Sequence, residues 1–179
     1  MSPFVAPIAL LCVVLGVILG AMARGWYARG VRQRDLPAPP DQSLSQVEAG
    51  PYPAIYVSST TAGKPLERIV AHGLGSRSRA DISLGLLEDG HKAVRIDRYG
   101  APSLTIPMGQ LQAVGSAQGI AGKAVGPQGL FLLTWNLGPH TLDSGLRLQH
   151  RADHRALLAH PWLIHLAVDQ LPESPAHEE

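Results

Sequence analysis

Four sets of residues in this chain of 179 have types and spacings that chemistry uses. Gly119-x-x-Gly122-Lys123 offers backbone amides and an ammonium to a phosphate. A phosphate loop also needs a glycine five residues before its Gly-Lys pair and a hydroxyl after the lysine. Those positions hold Ala117 and Ala124, so the magnesium ligand is missing and the segment reads as a flexible loop between strands. Asp143-Ser144-Gly145 is similar to the catalytic triplet of aspartic proteases, which pair two carboxylates to share one proton. Only 36 residues follow Asp143, too few for the rest of such a barrel. A tight turn or bend with Asp and Gly in their usual roles is expected instead. His150 and His154 are spaced i,i+4, which places two imidazoles on one helix face, with Asp153, His160 and His165 nearby. No Glu stands between the pair in the metalloprotease arrangement, so a polar helix edge is expected, with neither metal nor cofactor. The fourth set, Arg68, Arg77 and Arg79, gathers cations suited to an anionic group. Lys123 and Arg147 join them as candidates for polar contacts with a partner. There is no G-x-S-x-G elbow, and the single cysteine, Cys12, lies in an apolar run, so neither nucleophile class is supported.

The elements that must position these residues follow a period of two. Residues 54–57 are a short β-rich run, and 80–86 alternate with Ile82, Leu84 and Leu86 on one side. Glu88-Asp89-Gly90 is a turn signal, alternation resumes over 93–98, and Gly100-Ala101-Pro102 breaks the chain before 103–106. Residues 111–117, 130–136 and 141–148 complete about seven strands, which predict a small antiparallel barrel or sandwich. The period then changes. Asp153 is a plausible N-cap, and Leu157, Leu158, Ile164, Leu166 and Val168 supply helical apolar positions, with a kink expected at Pro161.

Ahead of the strands, residues 4–23 run for twenty positions without a charge. At about 1.5 Å per residue they span roughly 30 Å, the hydrocarbon thickness of a bilayer. No Lys or Arg precedes the run and it is longer than a signal-peptide core, so a retained transmembrane helix is expected. Arg24, Arg29, Arg32 and Arg34 follow it, with Trp26 and Tyr27 at headgroup depth. These flanks predict residues 1–3 outside and the remainder in the cytoplasm, with the helix in the cell membrane lipid. Residues 24–53 read as a basic juxtamembrane segment and a proline-rich linker, 54–171 as the folded domain, and 172–179 as an acidic tail. Residues 1–35 carry a net charge of +3, from four basic groups and one acid. The rest carries −2, from eleven basic and thirteen acidic groups. That balance excludes a dedicated nucleic-acid binder, which would be clearly basic.

The order of several short strings sharpens the fold. Tyr56-Val57-Ser58-Ser59-Thr60-Thr61-Ala62-Gly63, His72-Gly73-Leu74-Gly75 and Arg77-Ser78-Arg79-Ala80 come first. Ile106-Pro107, Gly119-Ile120-Ala121-Gly122-Lys123, Thr134-Trp135 and Leu142-Asp143-Ser144-Gly145-Leu146-Arg147 follow. Together they are similar to a family of actinobacterial single-pass membrane proteins with a pleckstrin-homology-like (PH-like) domain. The resemblance implies a strongly bent barrel of about seven strands capped by a C-terminal helix, and no established catalytic activity. The expected function is therefore a non-enzymatic, membrane-anchored module that binds a protein or peptide. A lipid-headgroup module using Arg68, Arg77 and Arg79 is the alternative. An enzyme or a transporter accessory subunit fits less well.

Overall fold

The computed structural model describes residues 5–33, 35–124 and 129–168, with the backbone alone at 5–9, 23, 26–32 and 123–124. The chain divides into two compact units, residues 1–35 and 36–179. The first holds helix α1 (Val5–Arg32). Leu10, Leu11, Cys12 and Val13 are all exposed, and at 100° per residue these four consecutive positions point to all sides of the helix. Among the described residues, no helix is long and apolar enough to cross a membrane.

The second unit is mainly β. In chain order its strands are β1 (Gln46–Thr61), β2 (Lys64–Arg68), β3 (Ser78–Leu86), β4 (Lys92–Tyr99), β5 (Leu104–Pro107) and β6 (Leu111–Ala117). Then come β7 (Gly119–Ile120), β8 (Lys123–Ala124), β9 (Leu130–Leu137), β10 (His140–Leu148), helix α2 (Arg151–Leu158) and β11 (Ala167–Val168). The main sheet runs β11-β6-β9-β10-β1-β3-β4-β5, with β2 on β1. The long strand β1 serves both halves: Gln46–Tyr56 pairs with β3 and Ala54–Thr61 with β10. Register shifts near Ala49 and between Tyr56 and Ser58 bend it. A single turn, Met108–Gln110, joins β5 to β6, so the two ends of the sheet lie one turn apart and the sheet is rolled. Alternation puts Ile82, Leu84, Val94, Ile96, Leu133, Trp135 and Leu146 inside, together with Leu157 of α2. A smaller outer cluster of Val57, Ile120, Leu130 and Leu132 lies under the β7–β8 hairpin.

The expected mainly β architecture with a C-terminal helix is present, and three expectations need correction. Residues 36–53 are not a tether. Leu36 is buried, the Thr105 amide donates to Pro40 O at 2.8 Å, and Ser45 N donates to Leu86 O at 2.8 Å. Proline blocks helix but not an extended strap on a sheet edge, and the strap here covers β5 before β1 begins. The domain therefore begins at Leu36, ahead of the expected residue 54. The terminal helix is shorter than expected. His150, not Asp153, occupies the N-cap position, and α2 ends at Leu158 before Pro161. A 3-10 turn (Ile164–Leu166) leads instead into β11, parallel to β6. The expected tail, 172–179, lies outside the described residues.

Candidate functional site: an arginine row on the outer sheet face

Cross-strand register assembles the site. Arg147 on β10 and Arg79 on β3 both lie opposite Ile55 of β1, and Arg79 lies opposite Tyr99 of β4. Residues directly opposite share a face, so Arg147, Ile55, Arg79 and Tyr99 form one transverse row. The two arginines stand two strand spacings apart, roughly 10 Å at the backbone. Both are exposed, Ile55 between them is half-buried, and Tyr99 is 61% exposed. Among the described residues neither arginine takes part in a salt bridge; the ion pairs there are Lys64–Glu67, Arg95–Asp41 and Arg95–Asp97. Arg77 is exposed one residue before β3.

The same face turns acidic further along. Asp81 and Asp97 lie directly opposite each other, a repulsive arrangement offset by two donors. Arg95 Nε donates to Asp97 at 2.7 Å, and the Tyr99 hydroxyl donates to Asp81 at 2.5 Å. That hydrogen bond, with the Asp81 charge behind it, holds the Tyr99 phenol above its ordinary pKa. The acids nearest the row are thereby engaged, and the free cations are at its Arg79–Arg147 end.

The other expected residues are placed differently. Arg68 lies on β2, where its guanidinium donates to Gly75 O, outside the row. The backbone of Lys123 is in β8; its side chain lies outside the described residues, as do those of Trp26, Tyr27, Arg29 and Arg32, and all of Arg34. Arg24 is exposed on α1. Gly119–Lys123 is a tight hairpin rather than a flexible loop. Ala121 and Gly122 both have positive φ, 54° and 71°, as a two-residue turn between paired strands requires. Asp143-Ser144-Gly145 lies within β10 and not at a turn. Asp143 accepts hydrogen bonds from Thr134 Oγ1 (2.6 Å) and Gly63 N (3.0 Å), so its carboxylate fastens the β1–β2 turn to β9. Ser144 Oγ accepts from Trp135 Nε1 at 2.9 Å and lies 2.6 Å from Ser59 Oγ. Ser59 in turn bonds the Tyr56 hydroxyl, whose pKa burial pushes up. No base faces these hydroxyls in that chain of contacts, and a raised phenol pKa is the reverse of activation.

The two histidines of the i,i+4 pair diverge. His150 is exposed, whereas His154 is buried, bonded to Ser116 Oγ at 2.9 Å and edge-on to Phe131. Among the described residues, no three His, Cys, Asp or Glu side chains converge as a metal would require. Burial lowers the His154 pKa, so folding favours the neutral ring. Its contribution is complete above the unfolded value of about 6.5 and is lost as pH falls through the lower folded value. Thermal melts between pH 7.5 and 5 should show the midpoint dropping below about 6.5. His154→Gln, which keeps a polar partner for Ser116 but cannot titrate, should flatten that profile.

Arg79 and Arg147 are among the five candidates named from the sequence, but their placement in one row with Ile55 and Tyr99 was not foreseen. Register was the missing information, and spacing along one strand does not carry it. In comparisons with known proteins, a family model described as "Bacterial PH domain-like" matches residues 33–161. No curated protein and no solved structure matches the chain.

Proposed function

The chain belongs to the bacterial PH domain-like family, and on that premise we propose that it is a non-enzymatic module that recruits an acidic protein segment to a membrane. The observation that carries this reading is the pair of exposed arginines without a salt bridge on either side of half-buried Ile55. Two arginines roughly 10 Å apart at the backbone have side chains long enough to converge on carboxylates at alternate positions of an extended chain, about 7 Å apart, with Ile55 offering an apolar contact between them. The proposed anchor is the uncharged run 4–23, continuous with exposed apolar residues on every side of α1. The arginines after it favour a cytoplasmic module.

Full-length protein in phosphatidylcholine nanodiscs should bind a fluorescent decapeptide of alternating Glu and Ser. Arg79→Glu/Arg147→Glu should weaken that binding roughly tenfold or more, since like charges then face each other. An unchanged affinity would overturn the reading. Binding to phosphatidylglycerol vesicles but not to the peptide would support the lipid alternative, for which Leu66, 80% exposed between Lys64 and Arg68, offers an apolar tip. Carbonate extraction tests the anchor separately. The protein should stay in the membrane pellet, and release into the supernatant would refute insertion.

A further inference from the structure

The outer sheet face carries a second row beside the first, and the two are opposite in charge. Two residues along each strand, Pro53 of β1 lies opposite Asp81 of β3, and Asp81 lies opposite Asp97 of β4. Gln149, just past the end of β10, donates its amide to Pro53 O at 2.9 Å and completes the row. Successive residues alternate between faces, so both rows look outward about 7 Å apart, with Ala54 and Ala80 turned into the core between them. The donors on the acids occupy one oxygen each, Asp81 Oδ2 by Tyr99 and Asp97 Oδ1 by Arg95. The second oxygen of each carboxylate is left to accept from elsewhere.

This pattern is self-complementary. Turn a second copy by half a turn about a line in the plane of the face, between the two rows and parallel to them. Each row then lies on the other row of its partner, strand on like strand. Arg79 meets Asp81, Tyr99 meets Asp97, Ile55 meets Pro53 and Arg147 meets Gln149, every contact made twice as in any two-fold pair. A two-fold along the strands and centred on β3 would set Arg79 on Arg79 and Asp81 on Asp81, so the charges select the first axis. The β7–β8 hairpin stands beyond the first row, over Val57 and Gly145. In the pair it lies past the second row of the other copy, where β10 has already ended at Leu148.

We propose that this face pairs with the same face of a second copy of the chain. The inference rests on the recruitment reading for the row as a binding surface, and it names what fills that row while no acidic partner does. At roughly 300 Å² per copy the contact is well below the 800 Å² or so per partner of a stable interface, so it is transient and yields to an acidic segment.

The test uses the full chain in phosphatidylcholine vesicles, with Cys12→Ser and Gln112→Cys for labelling. Gln112 is exposed on β6, away from the face. Energy transfer between donor-labelled and acceptor-labelled copies reads association. Arg79→Glu and Asp81→Arg each set like charges face to face and should weaken self-association at least about tenfold. Mixed with each other, the two variants carry complementary rows again, and association should return to within about threefold of the parent. Mixing does not repair a misfolded chain, so recovery isolates the pairing itself. A parent chain that associates no better than Arg79→Glu, or variants that do not recover on mixing, would overturn the proposal. The alternating Glu and Ser decapeptide should disperse the parent pairs, and Asp81→Arg should bind it several-fold more tightly than the parent does. If the variants recover on mixing but the parent binds no peptide, recruitment fails and the pair stands. If the parent binds the peptide but does not self-associate, the pair fails and recruitment stands.

Discussion

Replacing Arg98 with methionine is expected to lower the stability of the domain by about 3–5 kcal/mol, read as the fall in its urea midpoint at unchanged slope. Arg98 is only 6% exposed, and its contacts are carbonyls, a hydroxyl and an aromatic face instead of a carboxylate. Its Nε donates to Ser78 Oγ at 3.0 Å, and Nη2 donates to Gly73 O at 3.0 Å and Ser76 O at 2.7 Å. Nη1 points to Pro102 O, and the guanidinium lies 4.0 Å from the centre of the Tyr56 ring. Methionine keeps the apolar stem but strands these acceptors, each at about 1–3 kcal/mol if it stays buried. Lysine should recover only part of the loss, because one ammonium cannot reach acceptors arranged for a planar fork. Two of the carbonyls that Arg98 holds, those of Gly73 and Ser76, belong to the loop leading to Arg77 and β3. Arg98→Met should therefore also weaken peptide binding under conditions where the variant is still folded. An Arg98→Met variant as stable as the parent would show that water replaces these bonds without cost.

The strands that read cleanly from sequence are those with one wet face. In β4, Val94 and Ile96 alternate with Arg95 and Asp97, and the alternation survives because water and core lie on opposite sides. β1 was the hardest to read. Its first half contains Gly50, Pro51 and Pro53, residues that signal a linker, yet it bends where the two halves of the sheet share one strand. The site was legible as types of residue but not as a group. Arg79 and Arg147 are 68 positions apart and meet only through β1, which pairs with both of their strands. Net charge concealed the site further, since the acid of residues 169–179 offset the basic surface in any sum over the whole domain.

Gly85→Ala is the second large effect expected, and it tests whether the strap is part of the domain. Gly85 lies opposite Val47, and a Cβ there would collide with the backbone carbonyl of Gln46 and stand 2.8 Å from Leu44 Cδ1. A backbone atom cannot rotate away as a flexible side chain would, so β1 must lift from β3 at its first residues. We expect a loss of about 2–3 kcal/mol, in the range of overpacked sites. Its distribution should be uneven, because the clash lies at the start of β1 and the ladder from Tyr52 to Tyr56 is untouched. Limited proteolysis should then cut within residues 36–47 while the remainder stays protected. In the parent the same residues should resist, held by Pro40 O on Thr105, by Arg95 on Asp41 at 3.0 Å, and by His72 Nε2 on Leu36 O at 2.8 Å. The consequence reaches function through geometry. With the strap in place, the fixed part of the domain begins one residue after Asp35; with it released, some ten further residues become tether. If residues 4–23 anchor the chain as proposed, a longer tether dilutes the module near the bilayer, since effective concentration falls as the linker lengthens beyond the distance it must span. Gly85→Ala should accordingly leave peptide affinity in solution unchanged and lower only binding that depends on the membrane. Cleavage in the strap of the parent protein at the rate of the variant would return residues 36–47 to the status of a linker.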